Sequence, residues 1–274
     1  MPNEHLDPIF TYRILYENTY IIQGCGCDCF LLMGENEAIM IDAGMSRRDI
    51  RAFVQTLTNL PVSKVINTHS HFDHTGGNGF FETVLITEYA SRSAKNTINA
   101  ADGRDFPLDY GFTFIEDGDI IDIGGRELEI IVLDCHSQGN IAILDRKMRL
   151  LFVGDEVECG QVLLNPGFGE MPGQLIARPA STVRHYRNAM QKLKALEGAF
   201  DFIMPAHNGA PIAPSYIDRY IELAQRILDG HQGEEDCSSP TFLPSFSHYP
   251  KKEDNFRRMN HRGAALVYRV DRIE

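Results

Sequence analysis

Apolar positions in this chain gather into short continuous runs, several of them bounded by glycine, asparagine or proline. The stretch "CFLLMGENEAIMIDAG" predicts two strands joined by a Gly/Asn-containing turn. A helix should follow: Ser46 with Asp49 three residues on resembles a capping pair, and Ile50, Phe53, Val54 and Leu57 recur at helical spacing before Pro61. Further runs at 65–66, 84–86, 130–133, 150–153 and 202–204 alternate with helical patterns over 88–97, 180–197 and 215–229. That alternation predicts a layered α/β protein. Beyond residue 230 the periodicity fades into the proline-containing "HQGEEDCSSPTFLPSFSHYPKK", followed by a strand-like "AALVYRV". The expectation is one domain over residues 1–274, with 231–274 as a C-terminal extension.

Five of the apolar runs finish alike. "AIMID" ends on Asp42, "KVINTHSHFDH" runs into His69, His71, Asp73 and His74, "IIVLDCH" ends on His136, "LLFVGD" on Asp155 and "FIMPAH" on His207. Each brings a metal-competent side chain, or a group able to orient one, just past a buried strand, where functional sites of open α/β sheets gather. A single histidine after a strand is ordinarily a loop residue, and an Asp before Gly is ordinarily a turn. Three histidines and an aspartate within six positions are hard to explain as solvated loop, and imidazole with carboxylate suits Zn²⁺, Fe or Mn.

Taken in order, "IDAG" with Asp42, "HSHFDH" at 69–74, His136, "GD" with Asp155 and "PAHNG" with His207 resemble the five motifs of the metallo-β-lactamase superfamily, over about residues 12–230. The resemblance implies a four-layer αββα sandwich with a binuclear centre on one edge. It assigns His69, His71 and His136 to a first metal, Asp73, His74 and His207 to a second, and Asp155 to a bridging position. Two divalent ions are implied, zinc foremost, with iron and manganese left open. Two cations about 3.5–4 Å apart would share a water and bring its pKa near neutrality, giving a hydroxide nucleophile. Asp73 would help orient that water, and Asp42 would support a ligand histidine through hydrogen bonds. One departure concerns His136: "DCHSQGN" lacks the Pro-Gly that many relatives carry before this histidine and the Pro-Gly-Ser after it, so the adjoining loop should be shaped differently.

The expected activity is hydrolysis of an ester, thioester or lactone of a small metabolite, by resemblance to glyoxalase-II-like and lactonase-like members. Two alternatives are carried: a mononuclear iron persulfide dioxygenase, and a ligand-binding regulatory protein with weak catalysis. A formal charge of −12 over 274 residues argues against nucleic acid or an anionic membrane as partner. No run approaches the ~18 apolar residues of a membrane span, so cytoplasmic residence is the default and homo-oligomerisation stays open. Six cysteines without other signs of a secreted scaffold are expected to be reduced.

"CGCDC", Cys25 to Cys29, invites a second metal site. Read as strand, alternate residues lie about 6.6 Å apart, whereas two sulfurs on one zinc are at most about 4.6 Å apart. Small apolar residues on one face of a strand are therefore expected. Gly76 and Gly77 would let the backbone turn tightly beneath the metals, or belong to a plain loop, and carry no catalytic role in either reading. Tyr186 and Arg184 are expected in the core or near substrate. Lys251, Lys252, Arg257, Arg258 and Arg262 form a solvated basic face or part of a segment folded over the pocket or reaching a partner subunit.

Overall fold

The computed structural model describes residues 9–95, 106–164, 181–235 and 255–274. The chain divides into two compact units, one of residues 1–132 and 143–147, the other of 133–142 and 148–274.

The first unit is built on a seven-stranded sheet in simple sequence order. Its strands are β1 (Thr11–Tyr16), β2 (Thr19–Gln23), β3 (Cys29–Met33), β4 (Ala38–Ile41), β5 (Val62–Ile66), β6 (Thr83–Ile86) and β7 (Phe112–Phe114). Strands β1 to β4 run antiparallel to their neighbours. From β4 to β7 the pairings are parallel. β4 is buried at every position, as a strand covered on both faces must be, so it reads as an unbroken apolar run. β1 is the edge strand and largely exposed, its Tyr12 ring stacked on Tyr20 at 5.7 Å.

Parallel pairing requires crossovers, and these carry α1 (Ile50–Gln55), α2 (Phe72–Thr75) and α3 (Glu88–Ser91). The cap of α1 is Asp49, whose side chain accepts from the Ala52 amide. Ser46, expected in that role, is buried and instead accepts from the Arg48 amide. α3 is shorter than the expected helix over 88–97: beyond Ser91 come turns to residue 95, and 96–97 lie outside the described residues.

A hairpin of β8 (Ile120–Asp122) and β9 (Glu127–Val132) completes this unit. At its turn the Arg126 side chain is buried and all its donors are engaged. Nε and Nη2 lie 2.7 Å from Asp145 Oδ2. Nη1 donates to the carbonyls of Asn18 and Met33, and Nη2 to Thr19 Oγ1. A guanidinium is tolerated out of water only when paired and hydrogen-bonded in this way.

β10 (Ile141–Asp145) carries the chain from the second unit into the first and is wholly buried. The second unit holds the parallel pair β11 (Leu150–Gly154) and β13 (Phe202–Pro205). It also contains a three-stranded sheet of β12 (Gln161–Leu163), β15 (Ala264–Arg269) and β14 (Phe256–His261). Two amphipathic helices, α4 (Val183–Lys194) and α5 (Ser215–Leu228), bring the buried rings of Tyr186 and Tyr220 edge to face at 5.8 Å. The described tail thus supplies strands β14 and β15: Arg258 donates to Gln161 on β12, and Arg262, in the turn between the two strands, pairs with Glu222 on α5. Lys251 and Lys252 lie outside the described residues. No helix among the described residues is long and apolar enough to cross a membrane.

Candidate metal centre

In the first unit the chain leaves β4 at Asp42, which takes φ +58° and is fully buried. Its carboxylate organises the loop after β5. Oδ1 accepts from the Thr68 amide, and Oδ2 from the Thr68 hydroxyl, each at 2.8 Å. Oδ2 also lies 2.8 Å from His74 Nδ1. A carboxylate facing an imidazole at this distance accepts, so His74 carries its proton on Nδ1 and presents the Nε2 lone pair. The same logic reaches His69. The Thr68 hydroxyl spends its proton on Asp42, so toward His69 Nδ1, 3.1 Å away, it accepts, and His69 too presents Nε2 as an acceptor.

The 67–78 segment is held by a reciprocal amide pair: Asn67 and Asn78 exchange side-chain hydrogen bonds of 3.0 and 2.8 Å, and Asn67 also donates to the His74 carbonyl. A Cβ on Gly77 would stand 2.5 Å from the Ala43 carbonyl oxygen, which explains a glycine where this segment lies against the backbone after β4. These contacts gather the rings: His69 lies 4.5 Å from His71 and 4.0 Å from His74 between centroids. Asp73 Oδ2 is 3.7 Å from His74 Nε2.

In the second unit His136, Asp155 and His207 follow β9, β11 and β13. His136 Nδ1 lies 2.7 Å from the Leu163 carbonyl, which can only accept, so Nε2 is again the lone-pair nitrogen. It sits 3.4 Å from Asp155 Oδ2, and His207 Nε2 sits 3.6 Å from Asp155 Oδ1. The loop carrying His136 is shaped by Glu156, whose Oε1 accepts from the amides of both Cys135 and His136. Burial pushes the Glu156 carboxyl up to about 8, against those two amides, which pull it down. This carboxyl clamp serves a loop that lacks the Pro-Gly and Pro-Gly-Ser framing. The turn after His207 is held by Asn208 at φ +61°, with its Nδ2 2.5 Å from Glu158 Oε2.

Within each unit, then, acceptor faces acceptor: His74 Nε2 meets the Asp73 carboxylate, and His136 Nε2 meets that of Asp155. Such pairs are satisfied by a cation or a proton between them. All-His/Asp donors with no thiolate suit a divalent metal such as Zn²⁺, Fe²⁺ or Mn²⁺, and the set fits one. Among the described residues the donors able to hold a metal ion are His69, His71, Asp73 and His74 in the first unit, and His136, Asp155 and His207 in the second.

Sequence reasoning missed Thr68, Glu156 and Glu158, which hold donors or their loops in place without being donors. The visible signal was "GDEVE", two glutamates beside Asp155 in a stretch where Glu156 and Glu158 prove buried. Tyr186 lies in the core, as one of its two expected placements had it, and its hydroxyl donates to the Glu156 carbonyl. The strand reading of "CGCDC" also fails. Only Cys29 belongs to β3, while Cys25 and Cys27 lie in a turn whose Gly24 and Gly26 have φ of +87° and +99°. Freed from strand spacing, the sulfurs of Cys25 and Cys27 come within 3.5 and 3.6 Å of Cys29 Sγ.

The family model described as metallo-beta-lactamase superfamily matches residues 22–221. Acyl-coenzyme A thioesterase MBLAC2 of Gallus gallus is 25% identical over 214 residues, covering 67% of this chain and 73% of that protein. Hydroxyacylglutathione hydrolase of Gloeobacter violaceus is 27% identical over 175 residues, covering 62% of this chain and 60% of that one. Among solved structures, a metallo-beta-lactamase from Pontibacter korlensis superposes with a TM-score of 0.57 at 19% identity, over 79% of this chain and 99% of its own. That likeness gives the fold class, an α/β sandwich of the metallo-beta-lactamase type.

Proposed function

This chain belongs to the metallo-beta-lactamase superfamily, and on that footing we propose that it is a metal-dependent hydrolase of acyl thioesters. The observation carrying the metal dependence is the locked tautomer of His69, His74 and His136, each presenting Nε2 as an acceptor. The thioester class is supported by the two relatives, whose names share that bond.

In this reading the ligands of the divalent metal would be His69, His71, Asp73 and His74 in the first unit and His136, Asp155 and His207 in the second. Divalent ions there supply Lewis acidity toward the acyl carbonyl and acidify a water. The chain's own residues supply the rest. Asp42 keeps the His74 proton on Nδ1 and, through Thr68, the His69 proton on its Nδ1. The Leu163 carbonyl does the same for His136, and Glu156 fixes the loop on which that ring is mounted. Asp73, whose side chain is 22% exposed beside a sealed His74, would help orient the attacking water through its carboxylate.

The test is elemental analysis of freshly purified protein, followed by hydrolysis assays on acyl-CoA, S-acyl glutathione, lactone and phosphoester substrates, with His71→Ala as control. Two metals per chain and thioester cleavage lost in the variant are expected. One iron per chain with thiol-dependent oxygen uptake and no hydrolysis would overturn the proposal in favour of a dioxygenase.

A further inference from the structure

The proposed reaction makes no use of the "CGCDC" stretch, yet its three thiols converge. Cys25, Cys27 and Cys29 are 1%, 5% and 0% exposed, and Cys29 lies 3.5 Å from one sulfur and 3.6 Å from the other. The turn is tied to the loops of the candidate centre at two points. The Met45 amide donates to the Cys25 carbonyl at 2.6 Å, and the Cys27 thiol donates to the Asp73 carbonyl at 3.2 Å. A closed thiolate metal site takes four donors, and the metal-competent groupings among the described residues include none of these sulfurs. What three adjacent thiols offer instead is a disulfide.

We propose that Cys27 and Cys29 form a dithiol–disulfide couple, oxidised by hydroperoxides, whose closure withdraws the Cys27 donor from the Asp73 carbonyl. Cys27 is the most exposed of the three and meets the oxidant. Its sulfur attacks the peroxide, breaking the O–O bond and giving a sulfenic acid and one water. Cys29 sulfur then displaces the sulfenic hydroxyl, which leaves as a second water with the Cys29 proton. Two thiols lose two electrons in total, and hydrogen peroxide is reduced to two waters. Forming the bond draws the sulfurs from 3.6 Å to about 2.05 Å, so the Cys27 side chain turns toward Cys29 and its S–H no longer exists to donate. The loop of Asp73 and His74 loses a support. This last consequence for metal binding rests on the proposed function; the disulfide itself does not.

The test uses the metal-loaded full chain. After treatment with hydrogen peroxide, remaining thiols are alkylated and the protein is digested with trypsin. Residues 14–47 contain no internal Lys or Arg, so all three cysteines travel on one peptide. One alkyl group, on Cys25, is expected in place of three, with dithiothreitol restoring three. Three groups after oxidation, or a single group on Cys27, would overturn the couple. So would thiols that stay blocked until acid releases a sulfur-bound metal. Chelator competition then reads the coupling. The oxidised protein should bind zinc about tenfold more weakly, and Cys27→Ser, which keeps a hydroxyl donor toward the Asp73 carbonyl but has no sulfur for the peroxide to oxidise, should bind zinc equally before and after peroxide. Equal affinity in both redox states refutes the coupling. If zinc binds in neither state, the metal reading is what fails, and the peptide map still decides the disulfide.

Discussion

Asp42 and His74 meet at 2.8 Å, carboxylate oxygen to Nδ1, with both side chains sealed from solvent. To reach that position Asp42 holds a left-handed backbone conformation, φ +58°, which Asp and Asn tolerate better than other side chains.

Asp42→Asn keeps the backbone preference and the volume but replaces an obligate acceptor with an amide able to donate. The His74 tautomer is then no longer fixed. Metal affinity should fall about 10- to 100-fold, the usual cost of losing such a support, while the thermal midpoint of the metal-free protein moves little. Competition against a chromophoric chelator measures the first, and a melting curve the second. Unchanged affinity would show that the Asp42–His74 contact does not set the ligand.

Asp145→Ala leaves the Arg126 guanidinium buried without its counter-charge. The variant should lose about 3–5 kcal/mol of unfolding free energy, read from urea denaturation. A loss under about 1 kcal/mol would mean that the Asn18, Met33 and Thr19 acceptors suffice to hold Arg126.

Chelation should destabilise the protein. Without a cation, His136 Nε2 and Asp155 confront each other at 3.4 Å as two acceptors. Returning zinc to a hundredfold excess over its Kd should add about 2.7 kcal/mol. A melting temperature indifferent to chelator and zinc alike would argue against a resident metal.

The Glu222 carboxyl on α5 is held below its ordinary range, first by the hydrogen bond from His261 and then by Arg262. A depressed carboxyl contributes stability above its unfolded pKa and loses it as pH falls through the folded value. Amides of the turn between β14 and β15 should therefore exchange faster, beyond the intrinsic pH effect, once the solution is acidic enough to protonate Glu222. In Glu222→Gln the protection should be low at both pH values. A wild-type turn equally protected in acid would contradict this.

Much of the arrangement could be read from residues alone, because strands buried on both faces advertise themselves. "AIMI" and "LLFVG" are unbroken apolar runs, and each ends on the polar residue that matters. "IAILD" is equally buried and no less legible, bounded by the Gly-Asn of "SQGN" before it and a charged turn after it, although it is absent from the expected runs. β1 is hard to read because an edge strand carries mixed residues, and β2 because its apolar stretch is only Ile21-Ile22 between polar positions. The candidate donors were legible since metal ligation demands particular side chains, whereas the groups that aim them were not. Thr68 is an ordinary threonine until its hydroxyl is found between Asp42 and His69, and the cysteine turn was misjudged because two positive-φ glycines bend a stretch whose composition allowed a strand.

The hydrogen bonds of Asp42 reach two imidazoles by routes of unequal length, one direct and one relayed by the Thr68 hydroxyl. Two histidines anchored at a common root can therefore be uncoupled at the longer branch. Thr68→Val cuts the relay to His69 and spares His74, so a metal titration that resolves two binding steps should see the step that engages His69 weaken while the other stays put, with every candidate ligand still in place.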